Sequence, residues 1–235
     1  MMVVALVGVG LSLSEVGRAR ILYVAASIVV VFGIVFSYAR GPWMGFMAAL
    51  LIFFWGWKKR VAIAAGIALL VLTVAVAFFS PSLKSRAEAA FSSSANADRI
   101  ALWSTTVDMI RDHVWLGVGP GMYRRAIPPY REGYNVRFLS SAHAHHNVLQ
   151  ELAERGLINT VLLAAFWFTI FYMGALKLKA ADGKSRLVYL GMQSAIFGFW
   201  VAGMFQYNLG DAENAMLAYL VCGCITSGDK SDDGE

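Results

Sequence analysis

The sequence predicts an all-α protein, a polytopic bundle of transmembrane helices with a large extracytoplasmic loop that contains amphipathic helices. Its composition is 58% hydrophobic and only 15% charged, whereas soluble domains carry roughly 25% charged residues. Long apolar runs alternate with short basic clusters along most of the chain. A single long polar segment, residues 80–156, interrupts this alternation. These observations exclude an ordinary soluble domain and favour an integral membrane protein.

The apolar runs predict the individual helices. They cover residues 3–14, 21–39, 43–57, 61–79, 157–176, 187–207 and 212–226. Crossing the hydrocarbon core takes about 20 residues, so the shorter runs are the weaker candidates for full spans. Residues 1–235 are therefore expected to form one membrane domain with few of its residues outside the bilayer, apart from the polar segment and an acidic tail. That tail, residues 228–235, is predicted to be disordered.

The basic clusters predict the orientation of the helices. Arg18 with Arg20, then residues 58–60, then residues 177–186 fall on one side if each run crosses the membrane. The positive-inside rule assigns that side to the cytoplasm, and it exempts loops longer than about 60 residues. Residues 80–156 are therefore predicted to face the exterior of the cytoplasmic (inner) membrane. Because basic residues flank the runs, the net charge of +5 predicts no nucleic-acid partner.

Within the polar segment, residues 98–111 have the spacing of an amphipathic helix. Ile100, Trp103, Val107 and Ile110 recur at helical intervals, and Arg99 lies off that stripe. A glycine-rich turn over residues 116–123 and a basic, aromatic stretch follow. The turn lacks the strand context and the Lys-Ser/Thr pair of a phosphate-binding loop, so it is a weak motif for phosphate.

Three of the four histidines, His143, His145 and His146, lie at the end of the polar segment. Asn147 is a good helix N-cap, with Gln150 placed to complete a capping box, and this helix is expected to end at Gly156. A helix N-terminus disfavours imidazolium, so His146 is expected to be neutral and able to take a proton from a sugar hydroxyl.

Two other interpretations of the histidines were weighed. A metal site lacks acidic or thiol ligands at a suitable spacing, and adjacent residues on a helix point apart. No metal and no cofactor is therefore predicted. The other interpretation is that these are interfacial histidines that make only hydrogen bonds.

Arginines supply the candidate anion-binding groups. Arg40 ends an apolar run on the predicted external face, where arginine is either an interfacial anchor or a functional charge. Arg99 precedes Trp103 by four residues and is a second candidate; a solvated helix charge is its alternative. Weaker candidates for substrate contact are His143, Arg124, Arg125, Gly119, Gly121 and Asn147. Arginine suits a diphosphate because it is permanently charged and bidentate.

These features together resemble the O-antigen ligase and O-antigen polymerase family of membrane glycosyltransferases. The matching stretches occur in order: residues 37–41 (Ser-Tyr-Ala-Arg-Gly), Arg99 with Trp103, residues 116–123, and residues 145–157 with His-His-Asn-Val-Leu-Gln at their start. The resemblance covers roughly residues 21–225. It implies a polyprenyl-diphosphate-linked glycan as donor and a lipid or glycan hydroxyl as acceptor. Arg40 and Arg99 would bind the diphosphate, and His146 would be the base.

The chain departs from the family pattern at two points. The family usually shows His-x-His-Asn, whereas residues 143–147 read His-Ala-His-His-Asn, so His145 is an alternative base. Members of the family also have more spans, so N-terminal helices are expected to be missing. The resemblance leaves open ligation to a lipid A core, polymerisation of repeat units and transfer to a protein hydroxyl. A transporter resembling a bicarbonate transporter is the alternative from another functional class, and a non-catalytic truncated membrane protein is a third.

Overall fold

The computed structural model describes residues 2–37, 40–61, 93–131 and 142–227, and the regular elements among them are all helices. This confirms the all-α prediction. The α-helices are α1 (Met2–Ser14), α2 (Gly17–Phe36), α3 (Arg40–Trp57), α4 (Ser93–Asp112), α5 (Tyr123–Ala126), α6 (Asn147–Ala180), α7 (Gly183–Gly203) and α8 (Ala212–Thr226). Short 3-10 helices occupy Pro128–Arg131 and Asn208–Gly210.

Most of the predicted apolar runs coincide with helices. Helices α1, α2, α3 and α8 match their runs to within a few residues. Helix α7 ends at Gly203, before the predicted end of its run at residue 207. The run 61–79, apart from its first residue, and the tail 228–235 lie outside the described residues.

Among the described helices, two are long and apolar enough to cross a membrane, at Gly17–Ile34 and within Asn147–Ala180. Three shorter apolar helices, Met2–Ser14, Gly41–Trp57 and Ala212–Thr226, accompany them. Length and composition thus support a membrane protein.

The chain divides into two compact units. The first contains Met1–Trp57, Ala165–Gly203 and Asn208–Glu235. Within it, α7 packs against α1 and α3, and α1 packs against α2. A Cβ on Gly45 or Gly198 would come within 3.0 Å of the other residue's backbone oxygen. Such small-residue contacts let helix backbones approach closely, as is common in membranes.

The second unit contains Lys58–Ala164 and Met204–Tyr207. Its apolar core consists of Met109, Tyr123, Ile127, Ala144 and Ala153. The core therefore joins α4 and α5 to the histidine segment and the start of α6. The first turns of α6 are thereby held by tertiary packing as well as by their own hydrogen bonds.

Helix α4 exists as predicted, but the predicted apolar stripe is partly wrong. Ile100 is exposed, whereas Leu102 and Met109 are buried together with Thr105 and Thr106. The threonine hydroxyls tolerate burial because each donates to a carbonyl one turn back, 2.7 Å away. Hydropathy alone therefore placed the buried face about one residue out of register.

Candidate active site

The histidine segment, residues 143–146, ends at the capped N-terminus of α6. The N–H of Gln150 donates to the carbonyl oxygen of His146 (3.0 Å), and the N–H of Leu149 donates to Nδ1 of His146 (3.3 Å). His146 is therefore the N-cap, one residue before the cap that the sequence predicted at Asn147. The imidazole can replace the usual Ser, Asp or Asn because its Nδ1 accepts the same orphan backbone N–H.

Gln150 fixes the turn that precedes the helix. Its Oε1 accepts the N–H of Ala144 at 2.7 Å, so the predicted side-chain pairing exists with a different partner. Between them, His145 has a left-handed backbone with φ of 52°. His is among the few residue types that are enriched in that region. The turn displays successive imidazoles in different directions instead of stacking them along a helix.

Trp103 of α4 holds the same turn from the other side. Its indole N–H donates to the carbonyl oxygen of Ala144 at 3.0 Å. Its ring also meets the ring of His146 edge-on, with centroids 5.5 Å apart. The Arg99–Trp103 stretch and the histidine stretch, which are separate motifs in the sequence, therefore form one site.

Burial keeps the imidazoles neutral. It lowers the pKa of both His143 and His146 below the ordinary value. The pKa of His145 falls to about 4, through burial first, then through repulsion from His143 once that ring is protonated, and then through the positive charge of Arg99. At neutral pH all three rings are therefore uncharged, as a general base requires.

The hydrogen bonds distinguish the three imidazoles. Nδ1 of His143 accepts the N–H of His145 at 3.2 Å, and Nδ1 of His146 accepts the N–H of Leu149. A neutral imidazole whose Nδ1 accepts carries its proton on Nε2, so both of these rings present an N–H. Among the described residues, no hydrogen bond engages the imidazole of His145, whose ring lies 4.1 Å from that of His143.

Arg99 lies at this site. It is half-buried in the first turns of α4, and its charge lowers the pKa of His145. The guanidinium that the resemblance assigns to the diphosphate is thus close enough to His145 to lower its pKa.

A polar cluster that the sequence analysis missed lies behind the histidines. Glu151 is 3% exposed; its carboxylate accepts from the guanidinium of Arg155 and from the hydroxyl of Tyr207 at 3.1 Å. The ring of Tyr207 lies 5.9 Å from that of His143. The i, i+4 spacing of Glu151 and Arg155 could have indicated their ion pair, but no local signal connects Tyr207, which lies 56 residues after Glu151.

The glycine-rich turn binds the protein's own helix. The N–H groups of Val118 and Gly119 donate to the carbonyl oxygens of Ala153 and Glu154, both at 2.9 Å. These carbonyls end the first part of α6, where Gly156 breaks the helix with φ of 69°. The helix end predicted at Gly156 is therefore confirmed as a break within α6. The N–H of Gly119 therefore donates to the protein's own backbone. This contact explains the glycine at that position without a bound ligand.

The remaining predicted site residues are distributed as follows. Arg124 and Arg125 are exposed on α5, and a Cβ on Gly121 would meet open space. Asn147 is fully buried as the first residue of α6. Arg40 begins α3 in the first unit, and its side chain lies outside the described part of the structure. The structure thus brings Arg99 to the histidines and leaves the placement of the Arg40 side chain as a prediction.

Within the described ranges, His, Cys, Asp and Glu side chains form no group of three or more that could hold a metal ion. The rings of His143 and His145 meet edge-to-face, with centroids 4.1 Å apart, and Nδ1 of His143 accepts the backbone N–H of His145.

Comparison with protein-family models matches residues 22–164, more than half of the chain, to the O-antigen ligase family. The chain belongs to the O-antigen ligase family. The match contains Arg40, Arg99, the glycine-rich turn and the histidine segment. The resemblance that the motifs predicted is therefore confirmed. Among curated proteins, no match was found.

Membership in the O-antigen ligase family implies a glycosyltransferase activity of the ligase or polymerase type, in a membrane setting and with lipid-linked glycans as substrates. The apolar helices of the structure are consistent with that setting. The histidine segment, Trp103 and Arg99 all belong to the second unit of the chain.

Proposed function

We propose that the protein transfers a glycan from a polyprenyl-diphosphate donor to an acceptor hydroxyl on the extracytoplasmic side of the inner membrane. The observation that carries this proposal is the contact of Trp103 with His146 and with the carbonyl oxygen of Ala144, because Trp103 lies one turn after Arg99 on α4 and so brings that helix to the neutral histidines. A permanent cation beside neutral imidazoles provides one group for an anionic leaving group and another for a proton. Both groups belong to residues that the family match contains.

The proposed reaction is a single displacement. The acceptor oxygen forms a bond to the anomeric carbon of the glycan, and the bond from that carbon to the diphosphate oxygen breaks. The hydroxyl proton passes to a histidine, and the electron pair leaves with the polyprenyl diphosphate. Because diphosphate is already a good leaving group, fixed positive charge and a base are sufficient, and the proposal includes neither metal nor cofactor.

The proposed diphosphate ligands are Arg99 and Arg40. The effect of Arg99 on His145 supports Arg99, while Arg40 rests on its motif and its place at the start of α3. A bound diphosphate would offset the charge of Arg99, and the pKa of His145 would then rise from about 4 toward the range in which imidazole is an effective base. Donor binding would thereby activate the base.

The hydrogen bonds favour different roles for the two adjacent histidines. His146 uses the Nδ1 lone pair as a helix cap and presents Nε2–H, which suits donation to a substrate oxygen. The imidazole of His145 has its acceptor nitrogen available. We therefore assign the base to His145 and the donor role to His146, whereas the resemblance alone favours His146 as the base.

The proposal is tested by a transfer assay with the purified protein in detergent, a polyprenyl-diphosphate glycan, candidate acceptors and EDTA. Mass spectrometry of the products distinguishes glycan attached to a lipid or glycan acceptor from a ladder of longer donor-linked chains. Attachment to an acceptor supports the ligase, and a ladder identifies a repeat-unit polymerase instead. No transfer, combined with bicarbonate uptake by reconstituted vesicles, would replace the proposal with the transporter.

A further inference from the structure

The turn that follows α4 exposes consecutive apolar side chains. Val114 is 36% exposed, Trp115 is 66% exposed and Leu116 is 76% exposed. Monomeric proteins in water seldom leave such side chains contiguous and uncovered, because each large one contributes about 1.5–3 kcal/mol when buried. The turn is therefore expected to meet an apolar environment.

Backbone contacts hold this turn against the helix break at Gly156. The N–H of Gly117 donates to the carbonyl oxygen of His113 at 2.9 Å, and the N–H of Leu157 donates to that of Val114 at 2.7 Å. A Cβ on Gly156 would come within 3.0 Å of the carbonyl oxygen of Trp115. The turn is thus packed against the helix break, with its side chains directed away.

The surface next to the turn is also apolar and exposed. Beyond Gly156, helix α6 continues with Leu157, Ile158, Val161 and Leu162 exposed. These residues belong to the second unit and begin the apolar run of a candidate membrane span. Since Leu157 is hydrogen-bonded to the turn, the exposed face of the turn is continuous with the surface that the span presents to lipid.

We propose that residues 114–116 form a membrane anchor whose side chains insert into the interface of the lipid bilayer beside the first residues of the span. Tryptophan is enriched at this level of the membrane because its ring is apolar with one polar N–H. The partner is the bilayer itself, and continuity with the apolar surface of α6 favours it over a protein surface.

The anchor also sets the height of the histidine segment. The same turn continues to Val118 and Gly119, which are hydrogen-bonded to the end of the first part of α6. That part, residues 147–155, has a length of about 13 Å at 1.5 Å per residue, and His146 caps its other end. The histidines are therefore held within about 13 Å of the interface along a rigid helix.

The experiment uses nitroxide labels on single cysteines in the full chain, with Cys222 and Cys224 replaced by alanine, in vesicles of phosphatidylethanolamine and phosphatidylglycerol. Labels replace Leu116, Ile158 as the reference within the span, and Arg111 as an exposed polar control. Collision with oxygen and with a water-soluble nickel chelate reports the depth of each label. We expect the Leu116 label to resemble Ile158, with at least a several-fold excess of oxygen over chelate accessibility relative to Arg111.

Two results would overturn the anchor. A Leu116 label that is as accessible to the chelate as the Arg111 label would place the turn in water. A label that is immobilised and shielded from both reagents would place the turn against protein, such as a second copy of the chain. Quenching of native tryptophan fluorescence by brominated lipids provides an independent measurement, and Trp115→Phe is expected to remove a measurable share of that quenching. Neither measurement depends on transferase activity.

Discussion

The indole N–H of Trp103 donates to the carbonyl oxygen of Ala144, 41 residues further along the chain, at 3.0 Å. This bond attaches helix α4 to the turn that displays the histidines. The same indole ring contacts His146. One side chain therefore fixes both the backbone and an imidazole of the candidate active site.

Replacing Trp103 with phenylalanine removes the N–H but keeps an aromatic ring for His146. Loss of one hydrogen bond is expected to lower the free energy of unfolding by about 1 kcal/mol. The midpoint of thermal unfolding in detergent should therefore fall by about 2–4 °C. Glycan transfer should fall further than folded protein does, because the histidine turn loosens. Trp103→Ala, which also removes the ring, should be more severe; equal activity of both variants and wild type would show that the indole does not position the turn.

Tyr207→Phe removes the hydroxyl that donates to the buried carboxylate of Glu151 but leaves the ring beside His143. A hydrogen bond to a charged group contributes about 1.5–3 kcal/mol, and the free energy of unfolding should fall by that order. Tyr172→Phe is the matched control because Tyr172 is exposed on α6. Urea unfolding curves that coincide for the two variants would show that the Tyr207 hydroxyl does not stabilise this unit.

Gly117→Ala should destabilise the protein through two effects. Its φ is +67°, a region that costs an L-residue about 1–2 kcal/mol, and its Cβ would come within 3.0 Å of the backbone of Glu154 and Arg155. Gly121→Ala is the control, because its φ is +72° but its Cβ would meet open space. The difference between the two variants therefore measures the close approach alone, and we expect about 1–3 kcal/mol. Equal stability would contradict the docking of the turn on α6.

Arg99 should contribute to the low pKa of His145. Burial and His143 lower that pKa more than Arg99 does, so Arg99→Gln should raise it only part of the way from about 4. Between the wild-type and variant pKa values the wild-type ring is neutral and the variant ring is increasingly protonated as pH falls. Diethyl pyrocarbonate modifies only neutral imidazole, so at pH 5 the modification of His145, read by mass spectrometry, should be slower in Arg99→Gln. An unchanged rate of His145 modification would show that Arg99 does not affect the pKa of His145.

The charge of the bound diphosphate should also give kcat/KM, which reports the free protein, a different pH dependence from kcat, which reports the donor-bound protein. The acid limb of kcat/KM reports the free protein and should lie below pH 6.5, because His145 stays neutral down to about pH 4. The acid limb of kcat should lie at higher pH, since the bound diphosphate favours imidazolium. Coincident limbs would contradict activation of the base by the donor.

The sequence predicted the elements of the site better than their contacts. The histidine segment, the break at Gly156 and helix α4 are local features, encoded by caps, glycine and periodicity. The bond from Trp103 to Ala144 and the Tyr207–Glu151 pair join residues far apart in the chain. No local pattern specifies such pairs, because they arise only when the helices pack.

The buried face of α4 shows a second reason why the contacts were harder to predict than the elements. Hydropathy favoured Ile100, yet Ile100 is exposed while Thr106 is buried, with its hydroxyl 2.6 Å from that of Tyr123. A polar side chain that finds partners can be buried at little cost. The identity of the cap at His146 escaped prediction for a similar reason, since its Nδ1 does the work usually assigned to Asn or Ser.

The roles of His145 and His146 are tested most directly by His145→Asn and His146→Gln in the transfer assay. Asparagine tolerates the left-handed backbone of residue 145 but is no base. Glutamine at 146 can place an amide N–H near the position of the imidazole Nε2–H, yet it also cannot accept a proton. Circular dichroism and thermal unfolding would establish that both variants fold.

We expect His145→Asn to lower kcat by about 10²–10⁴-fold, the usual contribution of a general base, and His146→Gln to retain a substantial part of the wild-type rate. An active His145→Asn together with an inactive His146→Gln would assign the base to His146. Wild-type rates in both variants would contradict the central claim that this histidine segment performs the chemistry.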